Sequence, residues 1–253
     1  MSLDRAMKLM ARARAVVVFT GAGVSAESGI GTFRDPGGLW EQHDPRKLAT
    51  PEAFARNPEL VHRFYNWRRA TCQKAEPNAA HHALARLERE LVARGDRLML
   101  VTQNVDDLHE RAGSKVVAVH GKHNEARCTA CATVHAWTGD LTLETVCPTC
   151  ARAGRMRPNI VWFGEMPLHQ GRIAAALGAA DLFVAIGTSG AVYPAAGYVA
   201  SARHAGIATC ELNLEPADNA GLFDNSFYGN ATETVPRFVD TLLSDGLGSF
   251  VER

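Results

Sequence analysis

The chain has 253 residues, with 27 Lys+Arg against 27 Asp+Glu, so it carries no formal net charge. That balance gives no ground for a nucleic-acid or membrane-surface partner, and no run approaches the roughly 18 apolar residues of a membrane-spanning helix. The length suits one large domain, or one domain with a smaller insert. Six cysteines without a secretory leader point to a reducing compartment, so a cytoplasmic location is expected.

Residues 1–14 read as an amphipathic helix that lacks the unbroken apolar core of a secretory signal. Residues 15–19 form a continuous β-branched run, the pattern of a strand buried on both faces of a parallel sheet. Similar runs occupy 97–101, 115–119, 182–186 and 206–210. Helical patterns alternate with them over 79–93, 106–111, 168–177, 194–204 and 234–243. The alternation predicts an α/β class, a Rossmann-like doubly wound parallel sheet. Two stretches break the rhythm. Residues 50–74 look wholly helical, with Pro51 and Pro58 near helix starts, and residues 122–158 carry four cysteines. Residues 50–74 and 122–165 are therefore expected to form a small domain, inserted into a nucleotide-binding domain of 1–49, 75–121 and 166–253.

Gly21 and Gly23 directly follow the first strand. Glycine there lets the backbone turn sharply and approach a pyrophosphate, and the next helix offers free N–H groups. The spacing is G-x-G-x-S rather than G-x-G-x-x-G, and Gly-rich strand ends are often plain turns. Beyond it, Phe33 could cover an aromatic ring and Arg34 meet a phosphate; a core Phe and a solvated Arg are the plainer alternatives. Gln103, Asn104, Asp106 and Asp107 lie past the end of a second strand, on the edge where open α/β sheets bind ligands. Asn104 offers a donor and an acceptor to a carboxamide, while Asp106 reads equally well as a helix N-cap. His120 ends the third strand and suits general-base work, although a lone His is more often structural. Cys128-x2-Cys131 and Cys147-x2-Cys150 are two knuckles that offer four thiolates to one zinc. Four thiolates leave no open position, so the ion is structural. Gly187-Thr188-Ser189 and Glu211-Leu212-Asn213-Leu214-Glu215 follow later apolar runs. They could line the same cleft, with hydroxyls near phosphates and Asn213 or Glu215 near a ribose.

Together these residues resemble the sirtuins, NAD-dependent protein lysine deacylases. The resemblance covers nearly the whole chain: residues 21–30, Thr32-Phe33-Arg34, residues 102–109, His120-Gly121, the four cysteines, residues 161–165, Gly187-Thr188-Ser189 and Asn213-Leu214-Glu215. One departure is Gly31, where the family usually has Pro. The resemblance implies NAD as co-substrate. Its contacts would be Gly21, Ala22, Gly23, Ser25, Ala26, Glu27, Ile30, Phe33, Arg34, Trp40, Gln103, Asn104, Val105, Asp106, His120, Gly187, Thr188, Ser189, Asn213, Leu214, Glu215 and, in the adenine-side loop, Ala231. It implies attack of the acyl-lysine oxygen on the ribose carbon bearing nicotinamide. His120 would then act as base on a ribose hydroxyl, with Asn104 and Asp106 as the other catalytic groups. The products would be free lysine, nicotinamide and O-acyl-ADP-ribose. An acyl-lysine protein or peptide would lie as an added strand against Val161, Trp162, Phe163 and Gly164.

Tyr65-x-x-Arg68 resembles the sirtuin branch that accepts acidic acyl groups. A Tyr hydroxyl and an Arg fork on one helix face can hold the carboxylate of a succinyl or malonyl chain. A packed Tyr beside a surface Arg is the plainer alternative. A monomer is favoured. Two competing functions are a nucleic-acid-binding zinc ribbon using Arg127, Arg152, Arg155 and Arg157, and a protein mono-ADP-ribosyltransferase.

Overall fold

The computed structural model describes Met10, residues 12–32, Leu39, residues 44–193 and residues 195–243. Strand β1 (Ala15–Thr20) is buried along its whole length. It pairs in parallel with β2 (Arg97–Thr102) on one side and β7 (Leu182–Ile186) on the other. β3 (Val116–Ala118) extends the sheet beyond β2, and β8 (Ala208–Asn213) and β9 (Asn225–Tyr228) extend it beyond β7, all in parallel. The order β3-β2-β1-β7-β8-β9 is that of a dinucleotide-binding sheet once the strands between β3 and β7 are set aside.

The unbroken apolar run of β1 has a direct cause. Val16 and Val18 face a core shared with α5 (Ala79–Ala93) and α9 (Ala231–Leu243), where they meet Leu84 and Phe238. Val17 and Phe19 face the opposite core, with Ile173 of α7 (Gln170–Gly178) and Val199 of α8 (Tyr198–His204). A strand covered on both faces has no position left for an unpartnered polar residue, and the one polar residue of β1, Thr20 at its end, bonds to Thr102.

The remaining helices are short, except one. α1 (Gly23–Ala26) is a single turn after β1, and α6 (Leu108–Arg111) is a single turn after β2. α2 (Pro45–Leu48), α3 (Pro51–Arg56) and α4 (Pro58–Lys74) each begin with Pro behind a side-chain cap from Asp44, Thr50 and Asn57. Residues 51–74 are helical apart from Asn57, with helix starts at Pro51 and Pro58 as expected, and Asn57 divides them. It leaves helical dihedrals so that its side chain can accept from Leu60 N at 3.0 Å. The strand expected over 206–210 starts later, at Ala208, because Gly206 (φ +73°) closes the end of α8. β9 was not anticipated: a four-residue edge strand beginning Asn225-Ser226 has too little apolar pattern to read.

The cysteine-bearing segment is a three-stranded antiparallel ribbon of β4 (Gly121–Cys128), β5 (Val134–Ala136) and β6 (Met156–Ile160), with β4 central. α4 braces it. Arg69 Nε donates to His123 O at 2.7 Å and Nη1 to Gly139 O at 3.1 Å. Asn66 holds the backbone of Leu141 through both its amide atoms, each at 2.9 Å. Val61, Phe64, Tyr65, Ile160 and Trp162 share one apolar cluster between α4 and the end of β6. Among the described residues no helix is long and apolar enough to cross a membrane.

Candidate functional site

The chain leaves β1 and β7 at the point where the strand order reverses, and the loops after them meet. Gly21 N donates to Ile186 O at 2.9 Å and Gly23 N to Gly187 O at 3.0 Å. A Cβ on Gly187 (φ +62°) would fall 2.7 Å from the carbonyl carbon of Gly23. The glycines were expected to make room for a pyrophosphate; in the fold they first make room for each other's loop. Beside them a cleft opens between Gln103, Thr188, Ser189 and Val192.

Under this edge lies a continuous polar network. The hydroxyl of Ser25, in α1, receives Asn104 Nδ2 at 3.1 Å and lies 3.4 Å from His81 Nε2. His81 is the N3 residue of α5, and its Nδ1 accepts from Asn78 N at 3.2 Å. That bond fixes the tautomer, so Nε2 carries the hydrogen and Ser25 is the acceptor. Ser25 is then free to donate to the Asp106 carboxylate. Asp106 also accepts from Leu108 N at 3.2 Å. It is 7 % exposed, and burial pushes its carboxyl up to about 6 against the pull of those two hydrogen bonds. Behind Asn104, its backbone N–H donates to Thr102 Oγ1 at 3.0 Å, Thr20 donates to the same hydroxyl at 2.8 Å, and His109 Nε2 lies 3.0 Å from Thr20 Oγ1.

His120 stands in the turn between β3 and β4. Its Nδ1 lies 3.1 Å from Gln103 O, a carbonyl, so Nδ1 donates and Nε2 keeps a lone pair. Burial holds its pKa below the ordinary imidazole value, opposed by the Gln103 bond. The result is a neutral, oriented base. The glycine after it is required, because a Cβ on Gly121 (φ +78°) would collide with Asn159 O of β6.

The other anticipated residues fall into separate groups. Asn213 Nδ2 donates to Thr188 O at 2.7 Å, so it ties the β8 end to the β7 loop. Glu211, fully buried, receives Asn213 Nδ2, Ala217 N, Ser226 Oγ and Tyr228 OH within 3.2 Å. Leu214, Glu215 and Ala26 are exposed, and Ala22 is half-buried. Glu27 accepts from Thr232 N and Oγ1 at 3.0 and 2.7 Å, which anchors the first turn of α9 behind Ala231. Ile30 packs with Cys72, Ala75 and Leu108, and Val105 O receives His123 N at 2.7 Å. Phe33, Arg34 and Trp40 lie outside the described residues.

The 161–164 stretch is not a strand. Val161 N, Trp162 N and Phe163 N already donate to His120 O, Glu165 Oε2 and Ala49 O. Trp162 is buried in the apolar cluster and Phe163 is exposed. The loop is held by Glu165, which Arg157 grips through Nη1 and Nη2 at 2.8 and 3.0 Å while its guanidinium covers the Trp162 ring at 3.3 Å. Trp162 Nε1 donates to Tyr65 OH at 2.9 Å. Tyr65 and Arg68 are both buried. Cys72, Asp106 and Tyr65 are among the groups that act electrostatically on the guanidinium, which also lies 5.9 Å from the Trp67 ring centroid.

The Sγ atoms of Cys128 and Cys150 are 3.7 Å apart, as are those of Cys131 and Cys147, and all four lie within 4.8 Å of one another. Sulfurs at about 2.3 Å from a tetrahedral zinc stand about 3.8 Å apart, so the four thiolates fit one zinc ion.

A family model described as the Sir2 family matches residues 21–194. An NAD-dependent protein deacylase of Caulobacter vibrioides is 59% identical over 90% of this chain and 97% of its own length. The chain belongs to the Sir2 family. Its fold superposes on a Sir2 homologue in complex with NAD with a TM-score of 0.85, at 39% identity over 95% of each chain. A Sir2 structure with a deacetylated p53 peptide and 3′-O-acetyl ADP-ribose gives 0.80, at 29% identity over 95% of this chain and 98% of that one.

Within this Sir2 chain, sequence reasoning missed His81, His109, Thr20 and Thr102 as parts of the site, and it placed Glu211 only within a run that could line the cleft. His81 left one usable signal: Asn78-x-x-His81 at a helix start is a capping-box spacing. The two threonines, each the last residue of a strand, gave a second, weaker one.

Proposed function

We propose that this Sir2 protein is an NAD-dependent protein lysine deacylase whose pocket accepts acyl groups ending in a carboxylate. The observation that carries the finer part is the pair Tyr65 and Arg68, one turn apart on α4 and both buried. A guanidinium fork and a phenol hydroxyl on one helix face can together hold an acyl carboxylate, the fork with a bidentate geometry.

The residues present fit NAD. A Rossmann strand order, a cleft at its reversal point, an oriented carboxamide at Asn104 and hydroxyls at Thr188 and Ser189 are the donor set a dinucleotide needs. When bound, NAD supplies a ribose carbon that becomes electrophilic as nicotinamide departs. Asn104 presents its carboxamide with Nδ2 fixed on Ser25, and Asp106 places a carboxylate beside it. His120 receives a proton at Nε2, while its Nδ1 stays on Gln103 O. Residues 1–49, 75–121 and 166–253 hold NAD in this reading, and 50–74 with 122–165 frame the acyl-lysine.

The test is kinetics on one peptide carrying acetyl- or succinyl-lysine. The wild type should favour succinyl. Arg68→Met should lose about 2–5 kcal/mol on succinyl, roughly 30-fold or more in kcat/KM, and little on acetyl. Equal losses on both would show that Arg68 supports the fold and does not read the acyl group.

A further inference from the structure

β4 turns into the protein directly after His120 and carries His123 inward, where it is 3 % exposed. Its backbone is committed: the N–H donates to Val105 O and the carbonyl accepts from Arg69 Nε, each at 2.7 Å. Its ring is not. Neither Nδ1 nor Nε2 has a partner among the described residues. Either tautomer therefore leaves one buried donor and one buried acceptor unmatched, which folded proteins rarely tolerate without a reason.

The surroundings give one. The imidazole lies 5.9 Å from the Tyr65 ring, centroid to centroid. The charged groups acting on it are Arg68 and Arg69, both cationic. Together with burial they hold the ring neutral, with a single N–H to give. Tyr65 OH already accepts from Trp162 Nε1, so its own hydrogen is left to donate. Two elements thus bring three donors to one place: the guanidinium and phenol from α4 and an imidazole N–H from β4. An unmatched imidazole N–H beside a phenol O–H and a guanidinium is the complement of a carboxylate.

We propose that His123 is a specificity-determining residue of the acyl pocket, donating its N–H to the terminal carboxylate of a succinyl- or malonyl-type group held by Tyr65 and Arg68. This rests on the acidic-acyl reading above. A neutral donor suits the position better than a third cation. It adds a hydrogen bond to the carboxylate without a further buried charge, and it leaves acetyl-lysine indifferent because that group ends in a methyl.

The test compares wild type, His123→Leu and His123→Gln on matched acetyl and succinyl peptides, with thermal unfolding of each protein. A hydrogen bond to a charged group predicts a loss of about ten- to a hundredfold in kcat/KM on succinyl for His123→Leu. Acetyl should stay within about threefold, and Tm should not fall. His123→Gln keeps a donor and should recover part of the loss; if the Leu variant fails to fold, it alone decides. Equal losses on both peptides, or no loss on either, would overturn the proposal. A wild type that removes acetyl and ignores succinyl would defeat the acidic-acyl reading and the role of His123 with it. A wild-type succinyl preference unmoved by His123→Leu and His123→Gln would defeat the role of His123 alone.

Discussion

Asp106 should be a residue that the fold holds at a cost. Its carboxyl is driven from 3.8 to about 6, chiefly by burial. That rise of roughly two units, at about 1.4 kcal/mol each, amounts to about 3 kcal/mol. Because the folded-state value is raised, the native protein binds more protons than the unfolded chain between pH 4 and 6. The contribution favouring the fold is complete below 3.8 and is lost as pH rises through about 6. Asp106→Asn keeps an oxygen for Leu108 N and never ionises. It should therefore match the wild type near pH 4 and exceed it by up to about 3 kcal/mol at pH 7.5, while losing most activity. Urea unfolding of both proteins at several pH values reads this directly, since groups common to both cancel in the difference. A difference that is independent of pH, or a less stable Asn variant at pH 7.5, would refute the reasoning.

His120→Ala should leave NAD affinity within a fewfold of wild type and nearly abolish turnover, as expected when a base is lost from the chemical step; near-normal deacylation would remove His120 from that role. With His120 present, the acid limb of kcat/KM should have its midpoint below 6.5, because burial keeps the imidazole neutral to lower pH; a midpoint above 7 would contradict its environment. Cys147→Ser, or strong chelation, should release one zinc per chain, lower Tm and disorder the β4–β5–β6 ribbon, with activity lost only as a consequence. Metal-free protein that kept its Tm would show that the four thiolates bind nothing of structural weight.

The parallel sheet was legible because strands buried on both faces leave a plain mark. From Ala15 to Phe19 in β1, and along the whole of β7, such strands need apolar residues at every position, and the sequence has them. The cysteines were legible for a comparable reason: metal geometry demands fixed spacing. The ribbon strands and β9 were not, since short half-exposed strands with Arg, Asn and Ser carry almost no periodicity. Within the site, the residues at strand ends could be named, but not the job of each. Gly21 and Gly23 look the same whether they admit a ligand or a neighbouring loop, and the fold shows the loop. Glu165 and Trp162, read with the substrate-facing loop, lock that loop from inside through Arg157 and Tyr65. His81 and His109 could not be found by spacing alone, because their partners Ser25 and Thr20 come from distant parts of the chain.

The central claim is that lysine deacylation by this protein consumes NAD. Mass spectrometry of one acyl-lysine peptide, incubated with the protein with and without NAD, tests it most directly. The account predicts free lysine, nicotinamide and O-acyl-ADP-ribose in equal amounts, only when NAD is present. Deacylation without NAD, or intact ADP-ribose attached to a peptide that keeps its acyl group, would contradict it.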